Sequence, residues 1–219
     1  MSTNHVIEQG EHLSQLAAQY GFRDYLTIWD HPNNAALKDK RQNPNVLFPG
    51  DSVFIPDKEK KSVSRPTGDR HRFQLKKQPL MLRVVIRDFD REPLANAKCT
   101  IQIDGQEKEL TTDGQGRISL PIPKDAEAGL LVCDHPLLPF PVRTPIKIGH
   151  LDPVVEVSGQ KARLNNLGYF AGPVEGKSEE ENEAMFLSAV EEFQCDNGLV
   201  VDGKCGPNTQ AKLKQVHDC

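Results

Sequence analysis

Ala189-Val190-Glu191-Glu192-Phe193-Gln194-Cys195-Asp196-Asn197-Gly198-Leu199-Val200-Val201-Asp202-Gly203-Lys204-Cys205-Gly206-Pro207 is the stretch that decides the reading of the chain. Its first part continues a helical pattern running from Glu179 to Gln194, with Met185, Phe186, Ala189, Val190 and Phe193 at helical spacing. Asp202-Gly203 and Gly206-Pro207 are turn signals. Thr209 to Val216, carrying Leu213 and Val216, reads as a closing helix. Upstream, Lys161 to Leu167 reads as a helix with Leu164 and Leu167 on its apolar face and Gly168 as its stop. Residues 158–219 are therefore expected to form a small three-helix bundle.

Upstream of this unit the period changes from helical to alternating. Met81 to Ile86 is rich in β-formers, and Thr100-Ile101-Gln102-Ile103 alternates faces. Asp104-Gly105 is a hairpin turn, and Glu109 to Thr112 continues beyond it. Asp113-Gly114-Gln115-Gly116 turns again before Arg117 to Ile122, and Gly129 to Val132 supplies one more strand. Short strands split by turns at close spacing predict an antiparallel β-sandwich over residues 80–157.

Residues 58–79 break the pattern. Lys58, Lys60, Lys61, Arg65, Arg70, Arg72, Lys76 and Lys77 crowd a stretch with too little apolar content to fold alone. It reads as a basic linker, either a solvated tether or a contact for an anionic surface. Residues 1–57 form the first unit. His5-Val6-Ile7 is β-like, and Leu13, Leu16, Ala17 and Tyr20 share one helical face that Gly21 ends. Asp24 is placed to cap a second helix carrying Tyr25, Ile28 and Trp29, and Pro32 interrupts it. Val53 to Pro56 closes the unit as a strand, giving the order β-α-α-β. The fold class is thus multidomain α+β: a βααβ unit, an antiparallel β-sandwich and a three-helix bundle.

Composition narrows the function. With 219 residues, 37% hydrophobic and 6% aromatic, the chain suits several small cores better than one large one. A net charge of −4 argues against nucleic acid or an anionic membrane as the partner. No apolar run approaches the roughly 20 residues that span a bilayer, so no membrane insertion is expected. The start, Met-Ser-Thr-Asn-His-Val-Ile-Glu, has neither a basic end nor an apolar core, and no secretory signal is expected. Cys99, Cys133, Cys195, Cys205 and Cys219 include no C-x-x-C pair, which argues against zinc. Cys99 and Cys133 read as reduced, buried thiols. Cys195 and Cys205 are open to either state, bridged or free.

The last unit resembles the three-helix peptidoglycan-binding domain that accompanies many wall hydrolases. The resemblance rests on Leu164, Leu167-Gly168-Tyr169, Gly172, Ala189-Val190, Phe193-Gln194, Gly198-Leu199, Val201-Asp202-Gly203, Gly206-Pro207, Thr209 and Leu213. It implies binding of peptidoglycan, with Tyr169, Asp202 and Asn208 as exposed candidates for ligand contact. The acidic stretch from Gly176 to Glu183 departs from the usual glycine-rich turn.

The first unit resembles a LysM domain through Val6-Ile7, Gln9-Gly10, Leu13, Leu16-Ala17, Tyr20-Gly21, Asn45 to Asp51 and Phe54-Ile55-Pro56. It departs from the family at Glu11-His12 and through an enlarged middle from Trp29 to Leu37. The resemblance implies a groove for N-acetylglucosamine-containing glycan between Gly10, Glu11, His12 and Leu13 on one side and Asn43, Asn45, Val46 and Leu47 on the other. A single such site is weak, and a second module adds avidity. The middle unit looks like a transthyretin-like or carboxypeptidase-regulatory-like sandwich, on Asp88, Pro93 to Ala97 and Thr111 to Gly116.

Catalytic constellations are missing from the sequence. It holds no H-E-x-x-H and no G-x-S-x-G. Cys133-Asp134-His135 lacks an orienting third group and reads as a strand end. His12 and His31 make a poor metal site without a carboxylate cluster, and no cofactor is expected. The expectation is a non-catalytic protein whose partner is peptidoglycan. LysM modules with an enlarged middle of this kind resemble proteins of contractile injection machines, including type VI secretion. That implies a spike or effector protein as a second partner and delivery by the machine. A wall-targeted effector or a hydrolase escort is the alternative.

Overall fold

A computed structural model describes residues 2–58, 62–72, 79–174 and 179–218. Three clusters of buried apolar side chains organise them.

The first cluster joins Ile7, Leu13, Leu16, Ala17, Ile28, Trp29, Leu37, Leu47, Val53 and Ile55. Strand β1 (Thr3–Val6) pairs antiparallel with β2 (Ser52–Ile55). Between them lie α1 (Leu13–Gln19), α2 (Leu26–Trp29), a 3-10 turn (Pro32–Asn34) and α3 (Ala35–Arg41). The expected sequence order is β-α-α-β, with Asn33 to Leu37 open to restarting a turn or two after Pro32, and that stretch opens the third helix, α3. Pro32 does end α2, but the His31 ring nitrogen then accepts a hydrogen bond from the Asn33 N–H and starts a new turn. Asn34 is buried there and acts as a surrogate strand. Its amide donates to the Ile28 and Phe54 carbonyls, and its oxygen accepts from the Phe54 N–H. The enlarged middle is thus built into this core through Trp29, Asn34 and Leu37.

Across residues 62–72 every side chain is exposed and no helix or strand forms. Lys60, Lys61, Lys76 and Lys77 of the basic stretch lie outside the described residues, as do Gly176 and Cys219.

The second cluster sits between two antiparallel sheets. Strands β3 (Leu80–Val85) and β6 (Arg117–Ile122) form one. Strands β4 (Lys98–Ile103), β5 (Gln106–Thr111), β7 (Ala128–Asp134) and β8 (Val142–Lys147) form the other, in the order β5-β4-β7-β8. Alternation decides the faces: Ile118, Leu120 and Ile122 of β6 and Cys99, Ile101 and Ile103 of β4 turn inward, and their neighbours in sequence turn out. Asp104 and Gly105 both have positive φ, 49° and 74°, as the predicted two-residue hairpin requires. The outer strands are unlike the inner ones: β5 reads Gln-Glu-Lys-Glu-Leu-Thr, and β8 carries Pro145.

The third cluster contains Val154, Leu164, Tyr169, Ala171, Ala189, Val190, Phe193 and Leu213. It joins α4 (Val157–Asn166), α5 (Glu179–Asp196) and α6 (Pro207–His217). Among the described residues no helix is long and apolar enough to cross a membrane.

Candidate functional site

In the C-terminal unit the surface is set by a buried frame. Arg163 is almost fully buried and donates to the carbonyls of Asp152 and Gly159. Ser158 Oγ donates to Asp152 Oδ2 at 2.6 Å. The strand of chain before α4 is therefore folded beneath the helix. Gly159 permits this, because a Cβ there would collide with the Pro153 and Asp152 carbonyl oxygens. At the far end of α4, the Asn165 amide donates to the Gly172 carbonyl and its oxygen accepts from the Ala171 N–H.

The connection from α5 to α6 is pinned by Gln194, which is buried at the end of α5. Its Nε2 donates to Asp202 Oδ1, the Lys204 carbonyl and Thr209 Oγ1. Its Oε1 accepts from the N–H groups of Asp202 and Gly203. Asp202 Oδ1 also accepts from the Lys204 N–H at 2.9 Å. That backbone N–H and the Gln194 amide hold the Asp202 carboxyl below the usual carboxylate range. The loop lies beside Leu187, whose side chain a Cβ on Gly203 would meet at 3.1 Å. On the outside it presents Val200, 81% exposed, and Val201, 53% exposed, beside the exposed Asp202 and Asn208. Of the apolar run Leu199-Val200-Val201, only Leu199 packs on the core. This arrangement offers apolar contact for methyl groups, as on acetamido or alanyl units, next to a carboxylate that accepts from N–H or O–H groups.

Tyr169 was expected to be exposed, and this is corrected: it is only 6% exposed. Its ring meets Phe193 edge-on at 5.5 Å, and its hydroxyl donates to Asp196 Oδ2. The other face is covered by Arg91 from the sheet unit, whose guanidinium carbon lies 4.0 Å from the ring centroid. Arg91 also pairs with Asp196 and Glu192. Burial and the Asp196 carboxylate push the Tyr169 pKa up to about 12. Phe170, 73% exposed, is the aromatic ring that this turn shows to solvent.

In the first unit the two expected groove walls are stitched to one another. The Leu13 N–H donates to the Pro44 carbonyl, and Ser14 donates twice to Asn45 Oδ1. Asn43 Oδ1 accepts from the Asn45 N–H. His12, Leu13, Val46 and Leu47 are buried, so their side chains serve the core. His12 caps α1 by accepting from the Gln15 N–H, and burial lowers its pKa against a hydrogen bond to Asn45. Glu11 Oε2 binds His5 Nε2 at 2.7 Å and accepts from the Glu8 N–H. Gly10 faces His150, and the backbone of Gly149 runs directly over the Gly10 carbonyl. The structure thus brings Gly10, Glu11, His12 and Leu13 next to Asn43, Asn45, Val46 and Leu47, and sets part of the sheet unit against Gly10.

Among the described residues there is no cluster of three or more His, Cys, Asp or Glu side chains placed for a metal ion. Cys99, Cys133, Cys195 and Cys205 are all free thiols, so of the two readings for Cys195 and Cys205 the structure shows the unbridged one.

Residues 156–213 match the family described as a peptidoglycan binding domain. The match covers α4, α5, the Gln194-pinned loop and α6 as far as Leu213, and it supports a peptidoglycan-binding role for this unit. No curated protein and no solved structure matches the chain. Sequence reasoning missed Val200, Val201 and Phe170. The available signal was an apolar run in a turn-rich stretch, where helical spacing calls for only one apolar residue.

Proposed function

We propose that the protein is a non-catalytic peptidoglycan-binding protein that serves as an adaptor in a contractile injection machine. One observation carries the first half of this reading: the peptidoglycan-binding match over residues 156–213 falls on a unit with a rigidly held, partly apolar loop open to solvent. Glycan strands with their peptide stems are the ligand. The first unit is read as LysM-like and gives a second, weaker contact to N-acetylglucosamine. The two sheets are read as a transthyretin-like sandwich that spaces the end modules. The adaptor role rests on the LysM-like unit with its enlarged middle, and a spike or effector protein is the second partner. The chain is made in the cytoplasm and reaches the wall through the machine.

The test is co-sedimentation of the full chain with purified sacculi. Wild type is expected in the pellet, and Val200→Asp combined with Val201→Asp is expected to shift most of it to the supernatant. Wild type remaining wholly in the supernatant overturns wall binding. Muropeptide release from the same sacculi would overturn the non-catalytic reading. Failure of the purified chain to capture a spike protein would remove the adaptor role and leave wall binding untouched.

A further inference from the structure

Cys99 on β4 and Cys133 on β7 stand directly opposite one another in the sheet register. The phase of the hydrogen bonding there is fixed by the hairpin next door. The two-residue turn at Asp104-Gly105 makes Ile103 and Gln106 the closing hydrogen-bonded pair of β4 and β5. The Thr112 N–H donating to the Ala97 carbonyl shows the same phase at the other end. Ala97, Cys99, Ile101 and Ile103 therefore direct their N–H and C=O groups to β5. Across to β7 the pair Cys99 and Cys133 is consequently a non-hydrogen-bonded one, where Cα atoms lie about 4.5 Å apart. A disulfide accepts Cα separations of about 4.4–6.8 Å. Both side chains point into the same core, each 3% exposed.

We propose that Cys99 and Cys133 are a latent cross-strand disulfide that closes when the chain folds in an oxidising compartment and stays open where thiols are kept reduced. The oxidant is a low-molecular-weight disulfide such as oxidised glutathione. One cysteine thiolate attacks it, its S–S bond breaks, and a glutathione thiolate leaves, giving a mixed disulfide. The second cysteine thiolate attacks the protein-bound sulfur and expels the second glutathione. Two protein thiols lose two protons and two electrons, and one oxidised glutathione becomes two reduced ones. The step belongs to folding and not to the finished fold. Burial, aided by Cys133, pushes the Cys99 thiol up to about 12, and burial raises Cys133 as well. In the folded chain the attacking thiolate is therefore scarce and shielded. The same shielding keeps the closed bond away from reductants.

This inference stands apart from wall binding and is tested without it. The full chain is unfolded, reduced and refolded in a glutathione redox buffer or in excess reductant, then denatured and alkylated. Refolding in the redox buffer is expected to give a peptide pair linking Cys99 to Cys133 by mass spectrometry. It is also expected to raise the melting temperature by at least about 5 °C over the reduced form. Cys99→Ala and Cys133→Ala are each expected to abolish that rise. Alkylation of both residues after oxidative refolding overturns the proposal. So does linkage of either to Cys195, Cys205 or Cys219. The wild-type mass measurement decides the matter even if an alanine variant folds poorly.

Discussion

The buried Gln194 amide has five polar atoms within hydrogen-bonding distance, three acceptors around its NH2 and two N–H donors at its oxygen, and all lie in the α5–α6 loop or at the start of α6. A buried amide that satisfies backbone groups leaves them orphaned when it is removed. Gln194→Ala is therefore expected to cost about 2–4 kcal/mol in urea unfolding, and to weaken sacculus binding by releasing Val200 and Asp202. Gln194→Glu keeps the acceptor and loses the amide donors, and should fall between the two. At this scale the sequence was only half legible. Phe193 was placed in the core by its spacing, yet nothing in the pattern marks the polar Gln194 beside it as buried. Tyr169 failed for a different reason. Its ring is covered by Arg91, 78 positions earlier in the chain, and no local pattern reports such a contact. Val200 and Val201 show the converse, since apolar residues in a loop carry no sign of which way they face.

Helices were legible where the apolar stripe was long. The period over Glu179 to Gln194 gives α5 nearly whole. The start of α4 at Val157 was missed by four residues because its first turn holds Gly159 and is buried against backbone, not against apolar side chains. The end of α6 carries a titratable feature. His217 lies beneath Asn166, and burial together with the Arg163 charge pushes its pKa down to about 4, with Asp218 opposing weakly. A histidine depressed in the folded state is neutral there while the unfolded chain still binds the proton. Its contribution is full above the unfolded value of about 6.5 and is lost as pH falls toward about 4. The helical unit is thus expected to lose stability progressively between these limits, followed by urea midpoints at a series of pH values. His217→Gln should flatten the profile in that window. The first unit has its own acid-sensitive lock, the two-point pair of Arg41 with Asp51. Burial alone would raise the Asp51 pKa. The Arg41 hydrogen bonds, the Phe48 N–H and the Arg41 charge outweigh it and hold the carboxyl below its usual range. That lock opens only at more acid pH, as the carboxylate protonates.

Across the whole molecule, each unit touches both of the others. Arg91 joins the sheets to α5, Gly149 and His150 meet Gly10, Lys124 reaches the Arg23 carbonyl, and Lys214 reaches Gln42. The exposed ion pairs among these contribute only about 0–1 kcal/mol each. The Gly149 contact is steric and less forgiving, since Gly149 has φ +80° and leaves no room for a Cβ above the Gly10 carbonyl. Gly149→Ala is expected to separate the first unit from the sheets while both stay folded. Small-angle scattering should then show a larger radius of gyration, with the melting of each unit little changed; an unaltered radius would count against this contact. Such approaches between distant segments were not legible, whereas the alternation and turns that build the sheets were.

The sheet borders described above have a further consequence. On β8 the register directs the Pro145 nitrogen outward, so the border lacks a donor at that point. On β5 the border is a row of Gln106, Glu107, Lys108 and Glu109, whose charged side chains would lose water if a further strand paired there. These two borders make the four-stranded sheet a poor template for a further strand, so high local concentration does not favour its extension from copy to copy.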